Sequence, residues 1–167
     1  MTKVLVVGNS GSGKTTLARR LQQTLGLAHL DLDTLAWMPG MPPQRRPLED
    51  SAAQIAEFLQ TQQGWVVEGC YADLLALLEE EAEHLVFLQV SEQECVANAR
   101  NRPFEPHKYS SRAAQDRNLE MLIQWIGDYS NRTDSCSLSA HEALYQAFTG
   151  RRHRLTSTLQ ADCWLPP

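Results

Sequence analysis

One octapeptide constrains this chain more than any other feature. Residues 8–15 read Gly-Asn-Ser-Gly-Ser-Gly-Lys-Thr and fit the spacing G-x-x-x-x-G-K-[ST]. Its glycines let the backbone bend so that successive N–H groups point inward, making a concavity for an anion. The apolar run Val4-Leu5-Val6-Val7 stands before it, and Leu17, Leu21 and Leu25 recur after it at helical spacing. A buried strand, a glycine loop and a helix therefore follow in turn, and the helix starts where the anion sits. Lys14 is placed to reach β- and γ-phosphates, and the Thr15 hydroxyl to ligate Mg²⁺. The octapeptide predicts binding of a nucleoside triphosphate.

The rest of the chain alternates in the same manner. Residues 28–32 predict a second strand, and Leu48, Ala52, Ile55 and Leu59 a helix running up to Gly64. Trp65-Val66-Val67 predicts a third strand ending at Glu68-Gly69, a Leu-rich helix follows around 73–80, and 85–90 predicts a fourth strand. Pro39, Pro42, Pro43 and Pro47 with Gly40 predict a loop, as do Pro103 and Pro106 within 102–112. Ser91 with Glu94, and Ser139 with Glu142, have the spacing of capping boxes. Leu119, Leu122, Ile123 and Ile126 predict another helix, and 154–156 a last strand. Such alternation predicts an α/β fold, a parallel sheet with helices on both faces.

Composition narrows the classes. At 167 residues, with 43% hydrophobic and 21% charged, the chain is expected to form one globular domain over 1–167. The net charge of −5 opposes a general nucleic-acid coat or a polybasic membrane binder. No apolar run is long enough for a membrane span. Cys70, Cys95, Cys136 and Cys163 are widely separated, which predicts reduced thiols and a cytoplasmic location. The five histidines show no metal-binding spacing, and Arg151-Arg152-His153-Arg154 reads as an exposed charge run rather than a phosphate contact.

Parallel sheets bind ligands at the carboxyl ends of their strands. Asp31 and Asp33 fall at the end of the second strand and Glu68 at the end of the third, so all three converge on the glycine loop. Such carboxylates suit a phosphoryl transfer that must hold Mg²⁺ and bind or deprotonate an acceptor hydroxyl. Residues 100–117 hold Arg100, Arg102, Lys108, Arg112 and Arg117, five of the fifteen basic residues, beside only Glu105 and Asp116. This segment is expected to be a lid whose arginines offset transferring charge, with Arg102 on the nucleotide and Arg100 on the reacting phosphate. Arg132 follows one helix later and is assigned to the acceptor. Trp37 and Tyr71 suit stacking on an acceptor ring or packing in the core.

Three stretches together carry a resemblance: Gly8 to Ala18, His29-Leu-Asp-Leu-Asp-Thr-Leu-Ala-Trp-Met-Pro-Gly40, and Trp65-Val-Val-Glu-Gly-Cys-Tyr71. They resemble the small adenylate-kinase-like P-loop proteins often called DNA topology modulation proteins. The resemblance extends more weakly through Leu85–Val90, the arginines after Cys95, and Trp125, Tyr129 and Arg132. It implies a three-layer P-loop NTPase of nucleoside/shikimate-kinase-like fold, with five parallel strands in the order 2-3-1-4-5. It implies ATP and Mg²⁺ as cofactors. Gly8, Asn9, Ser10, Gly11, Ser12, Gly13, Lys14, Thr15 and Thr16 would hold ATP, and Glu68 would sit close to Mg²⁺. It also implies an acceptor site beneath the helix at 48–63, within an acceptor-side region at about 34–64. The chain departs from the group at Gln89, where relatives often carry Asp, and at Cys70, where many carry Asn.

The resulting expectation is an ATP-dependent kinase of a small molecule or nucleotide. Lys14, Asp33, Glu68 and Arg100 would be catalytic, and Thr15 with Glu68 would hold the metal. Asp31, Asp33, Trp37, Tyr71 and Arg132 would face the acceptor. Two alternatives stay open: an ATP-binding regulator with weak turnover, favoured by Gln89, and a nucleic-acid-associated ATPase, which the acidic balance opposes.

Overall fold

Strand β1 (Lys3–Gly8) is the centre of the molecule, and its alternation explains the layers. Leu5 and Val7 face one core with Leu32, Trp65, Val67, Leu85 and Phe87. Val4 and Val6 face a second core with Leu17, Leu21, Val66, Val86, Leu88 and Ile126. A strand whose successive side chains are all buried must be covered on both faces, which its unbroken apolar run requires. The computed structural model describes all 167 residues.

The main sheet is parallel, with β1 flanked by β5 (Trp65–Gly69) and β6 (His84–Leu88). Strand β2 (Ala28–Asp31) lies outside β5, and β7 (Arg151–Leu155) outside β6. Counted along the chain, the five strands take the order 2-3-1-4-5. Helix α1 (Lys14–Leu25) buries Leu17, Ala18 and Leu21, and Gly26 ends it in a left-handed turn. Helix α3 (Leu48–Thr61) buries Ser51 and Ile55. Between β2 and α3 lie a short helix α2 (Asp33–Ala36) and a two-stranded ribbon, β3 (Trp37–Met38) with β4 (Gln44–Arg45). The proline-rich stretch is thus partly a ribbon rather than loop throughout.

Several elements differ from expectation for local reasons. Helix α4 is only Ala72–Ala76, and turns carry the chain on to β6. Helix α5 (Glu92–Arg100) is capped by Ser91, whose hydroxyl accepts from Glu94 N at 3.2 Å. The box is not reciprocal, because the Glu94 carboxylate accepts from Thr158 N and Oγ1 at 3.2 and 3.1 Å instead. Helix α6 (Arg112–Gly127) packs on α5. Helix α7 (Leu138–Ala147) starts at Ser137, not Ser139, because Ser137 Oγ accepts from Ala140 N at 3.2 Å. Glu142 then pairs with Arg154 at 2.8 Å and takes no part in capping. The last strand begins at Arg151, three residues earlier than its apolar signal. Helix α8 (Thr158–Cys163) closes the fold, and no helix is long and apolar enough to cross a membrane.

Candidate active site

The glycine loop joins β1 to α1 at the carboxyl edge of the sheet. Gly11 and Gly13 have φ of +77° and +93°, where L side chains are strained. A Cβ on Gly11 would lie 2.3 Å from the Cys95 carbonyl, and one on Gly8 2.6 Å from Ser12 Oγ. Only glycine permits this approach, and α5 holds the loop from outside through Asn98 Nδ2, which donates to Gly11 O at 2.8 Å. Asn9 Nδ2 ties the loop to α6 by donating to Ile126 O at 3.2 Å. The buried Ser12 Oγ and Asn9 Oδ1 have no hydrogen-bond partner. Lys14 Nζ donates back to Asn9 O at 2.8 Å, so its charge lies over the loop.

Glu68, at the carboxyl end of β5, comes to the first turn of α1. Thr15 Oγ1 donates to Glu68 Oε1 at 2.7 Å, and His29 Nε2 lies 3.2 Å from the same oxygen. Glu68 is only 2% exposed, and its ionic neighbour is a histidine rather than a lysine or arginine. A buried carboxylate with so little positive charge beside it is costly unless a cation completes the site. Hydroxyl and carboxylate oxygens suit Mg²⁺. The residues present therefore fit that metal, and the loop's inward curvature fits a polyphosphate.

The second cluster lies at the end of β2. Asp31 Oδ1 accepts from Asp33 N at 3.0 Å, a local turn that aims both carboxylates the same way. Tyr71 OH donates to Asp33 Oδ1 at 2.5 Å and accepts from Trp37 Nε1 at 2.8 Å. Burial, and the Asp33 carboxylate to which it is bonded, raise the Tyr71 phenol far above its ordinary range, so it stays a donor. Residues 100–111 reach over this cluster. Lys108 Nζ lies 2.7 Å from Asp33 Oδ2, 3.2 Å from Asp31 Oδ2 and 3.3 Å from Glu105 Oε2. Burial alone would raise the Asp33 carboxyl, but Lys108 and the Tyr71 hydroxyl hold it below the usual value.

Of the residues singled out from the sequence, the loop, Thr15 and Glu68 form one cluster, and Asp31, Asp33, Trp37 and Tyr71 form another. Arg100 and Arg132 lie apart from both, and Arg102 touches the second only through Glu105. Arg100 is exposed at the end of α5, and Arg102 Nε lies 3.5 Å from Glu105 Oε1. Both line a small cavity between α5 and α6 with Tyr109 and Arg112. Arg132 is committed within the chain: it donates to the carbonyls of Trp125 and Cys136, and its guanidinium lies 3.5 Å from the centre of the Trp125 ring. Gln89 Oε1 accepts from Arg154 beside the Glu142 pair. Cys70 Sγ lies 3.4 Å from Cys136 Sγ.

Three residues of these clusters were not singled out as site residues. His29 stands two places before Asp31 on the same strand face, so the period of two was the signal for it. Glu105 and Lys108 had no local signal beyond charge, because a loop's path over a distant strand end is tertiary.

Comparison with known proteins agrees with this architecture. No curated protein matches the sequence significantly. Among solved structures, shikimate kinase from Acinetobacter baumannii, in complex with shikimate, superposes with a TM-score of 0.53 at 16% identity, covering 97% of this chain and 88% of that one. Deoxyadenosine kinase from M. mycoides, with bound dATP, gives a TM-score of 0.48 at 10% identity over 98% and 93% of the two chains. At such identity the first shows the shared fold. The family model described as AAA domain matches residues 4–121, which include the glycine loop, Glu68, Asp31, Asp33 and Lys108. Since that match spans more than half of its length, this chain belongs to the AAA domain family.

Proposed function

We propose that the protein is an ATP-dependent kinase that transfers a phosphoryl group to a small-molecule acceptor. One observation carries the reading: the carboxyl edge of the sheet holds a phosphate cradle with a hydroxyl–carboxylate pair and, one strand further out, a second carboxylate cluster. The first suits a nucleotide, and the second a hydroxyl that must be oriented. Residues Gly8–Thr16 would grip the phosphates, with the α1 N-terminus and Lys14 supplying positive charge. An open groove beside Asn9, lined by Gln89, Ser91, Ile126, Tyr129 and Thr156, would take the base. Thr15 and Glu68 would hold Mg²⁺, which supplies charge neutralisation at the transferring phosphate when bound. Asp33, ionised and fixed by Tyr71, would accept or orient the acceptor's hydroxyl proton. Arg100 and Arg102, at the root of the 100–117 segment, would reach the phosphates when that segment closes over nucleotide.

In this reading the 167 residues form one unit, with its acceptor side at about 34–64 and a lid at about 100–117. The motifs quoted above support a place among the adenylate-kinase-like DNA topology modulation proteins. The four free cysteines support a reducing, cytoplasmic setting. Coupled ADP release over a panel of nucleoside monophosphates, nucleosides and hydroxyl metabolites tests the reading. ADP formation that requires one of these acceptors is expected, and none across the panel would refute it.

One observation favours a second reading, a nucleotide-binding regulator with slow turnover. Gln89 ends the strand beside the cradle without a carboxylate, and Arg154 occupies its amide oxygen. That reading expects ATP binding by calorimetry that no acceptor alters.

A further inference from the structure

The acceptor end of the site has an unusual charge balance. Asp31 and Glu105 are only 8% and 7% exposed. Their Oδ2 and Oε2 atoms are buried and accept no hydrogen bond of acceptable geometry. Both atoms, and Asp33 Oδ2, lie within 3.3 Å of a single ammonium, that of Lys108. His107 Nε2 adds a contact to Asp31 Oδ2 at 3.5 Å. Two aromatic side chains stand beside the cluster, with Tyr71 bonded to Asp33 and Trp37 bonded to Tyr71.

The nearby guanidinium groups are not free to bind an anion: Arg102 Nε faces Glu105 Oε1 at 3.5 Å, on the same segment as Lys108. Arg45 is spread over Asp73 at 3.0 Å, Ser135 Oγ at 3.3 Å and Ala36 O at 3.3 Å. Arg46 donates to the carbonyls of Leu35 and Trp37, both at 3.2 Å. A phosphate or carboxylate placed here would meet Asp31 and Asp33 with no uncommitted guanidinium to offset the repulsion. A cation would meet two carboxylates at the end of β2; Arg45 already lies 4.9 and 5.9 Å from the centres of the Tyr71 and Trp37 rings, so the carboxylates supply the attraction.

We propose that the acceptor carries an ammonium group, and that this group takes the place Lys108 Nζ fills between Asp31 and Asp33. The inference rests on the kinase reading above and names the substrate class of that same site: an amino alcohol or amino sugar. Lys108 belongs to the lid segment and is a tethered stand-in. When the lid moves from the acceptor cluster onto the nucleotide, Lys108 leaves with Glu105, and the acceptor's amine replaces it. In the transfer itself, the acceptor hydroxyl oxygen forms a bond to the γ-phosphorus. The bond from that phosphorus to the β–γ bridging oxygen breaks, ADP keeps the electron pair, and the hydroxyl proton passes to Asp33. The ammonium takes no part in bond making. It fixes the hydroxyl's distance from the cradle, which is where positioning gains its rate.

The test uses the full chain with ATP and Mg²⁺ in two arms. In the first, coupled ADP release compares ethanolamine and glucosamine with their neutral counterparts ethylene glycol and glucose, and with AMP. The expected result is at least tenfold higher kcat/KM for an amine than for its neutral counterpart. Lys108→Met is expected to lower the amine's KM several-fold, and Asp31→Asn to shrink the preference below threefold. Turnover that is equal or better with a neutral or phosphate-bearing acceptor overturns the inference and leaves the kinase reading standing. Silence across the whole panel counts against the kinase reading, and the second arm then judges the site alone. Ethanolamine and glucosamine are titrated into Lys108→Ala by calorimetry, with thermal unfolding as the check that the variant is folded. Saturable binding that Asp31→Asn in the same background weakens at least fivefold is expected. No saturable heat, or equal heat from the neutral counterparts, overturns the inference.

Discussion

Replacing Lys108 by Met keeps most of the side chain's volume and removes one charge. In the wild type that charge serves three carboxylates, at 2.7, 3.2 and 3.3 Å. Removing one partner of a fully buried pair costs about 3–5 kcal/mol. The Lys108 side chain is 15% exposed and that of Asp33 36%, so solvent screens part of the loss. A cost of about 2–3 kcal/mol follows. For a chain of this length that lowers Tm by roughly 4–12 °C. The pH dependence identifies the cause. Burial alone would lower the Lys108 ammonium, but the charges of Asp33 and Asp31 raise it above its ordinary value. Its contribution is therefore complete below the unfolded lysine value of about 10.4 and is lost only as pH rises through the folded value. Asp33 is held low, so its contribution is present above about pH 3.9 and is lost as pH falls through its folded value. In Lys108→Met the unshielded carboxylates repel one another, and at least one takes up a proton more readily than usual. The variant's deficit is thus greatest near pH 7.5 and at most half as large at pH 4. Thermal unfolding by circular dichroism at the two values measures it. An unchanged Tm, or a deficit equal at both, would refute the reasoning.

Three further outcomes follow from the same geometry. Gly11→Ala forces a side chain into a φ of +77° and to 2.3 Å from the Cys95 carbonyl, so it should cost roughly 3 kcal/mol and abolish ATP binding in a calorimetric titration. Arg132→Met loses its bonds to Trp125 and Cys136 and its place over the indole, so denaturant unfolding should show a loss of about 2 kcal/mol, while KM for ATP changes less than twofold. Burial pushes His141 down to about 4, and it donates from Nε2 to the Cys70 carbonyl at 2.6 Å as a neutral ring. Its unfolded form takes a proton first, so stability should fall by roughly 3 kcal/mol as pH drops from 6.5 to 4, a decline that His141→Gln should flatten.

The parts legible in the sequence were those that local pattern and topology determine together. Gly8–Thr15 carries its own spacing, and a parallel sheet must bring Asp31 and Glu68 to the same edge as that loop. The buried strands were legible because a strand covered on both faces needs a continuous apolar run. What escaped depends on contacts between distant segments. Ser137 rather than Ser139 caps α7, because the Asp134–Ser137 turn sets the chain's entry, with Ser137 N donating to Asp134 O at 3.2 Å. The β3–β4 ribbon is held by Arg45 and Arg46, whose partners lie on α2, α4 and the α6–α7 loop. Arg132 reads from the sequence as an acceptor contact because it follows the basic segment one helix later, yet its two terminal nitrogens donate to the Trp125 and Cys136 carbonyls and its Nε faces Asp134 at 3.4 Å. The sequence marked 100–117 as basic, but its basic character obscured that Lys108 would turn toward carboxylates rather than toward phosphate.

The central claim is phosphoryl transfer from the Gly8–Thr15 cradle to an acceptor at Asp33. Incubation of the full chain with Mg²⁺, γ-³²P-labelled ATP and the acceptor panel, followed by chromatography, tests it most directly. The account predicts label on an organic product, with the transfer rate reduced at least a hundredfold in Asp33→Asn. Label appearing solely as inorganic phosphate, or remaining in ATP with every acceptor, would contradict it.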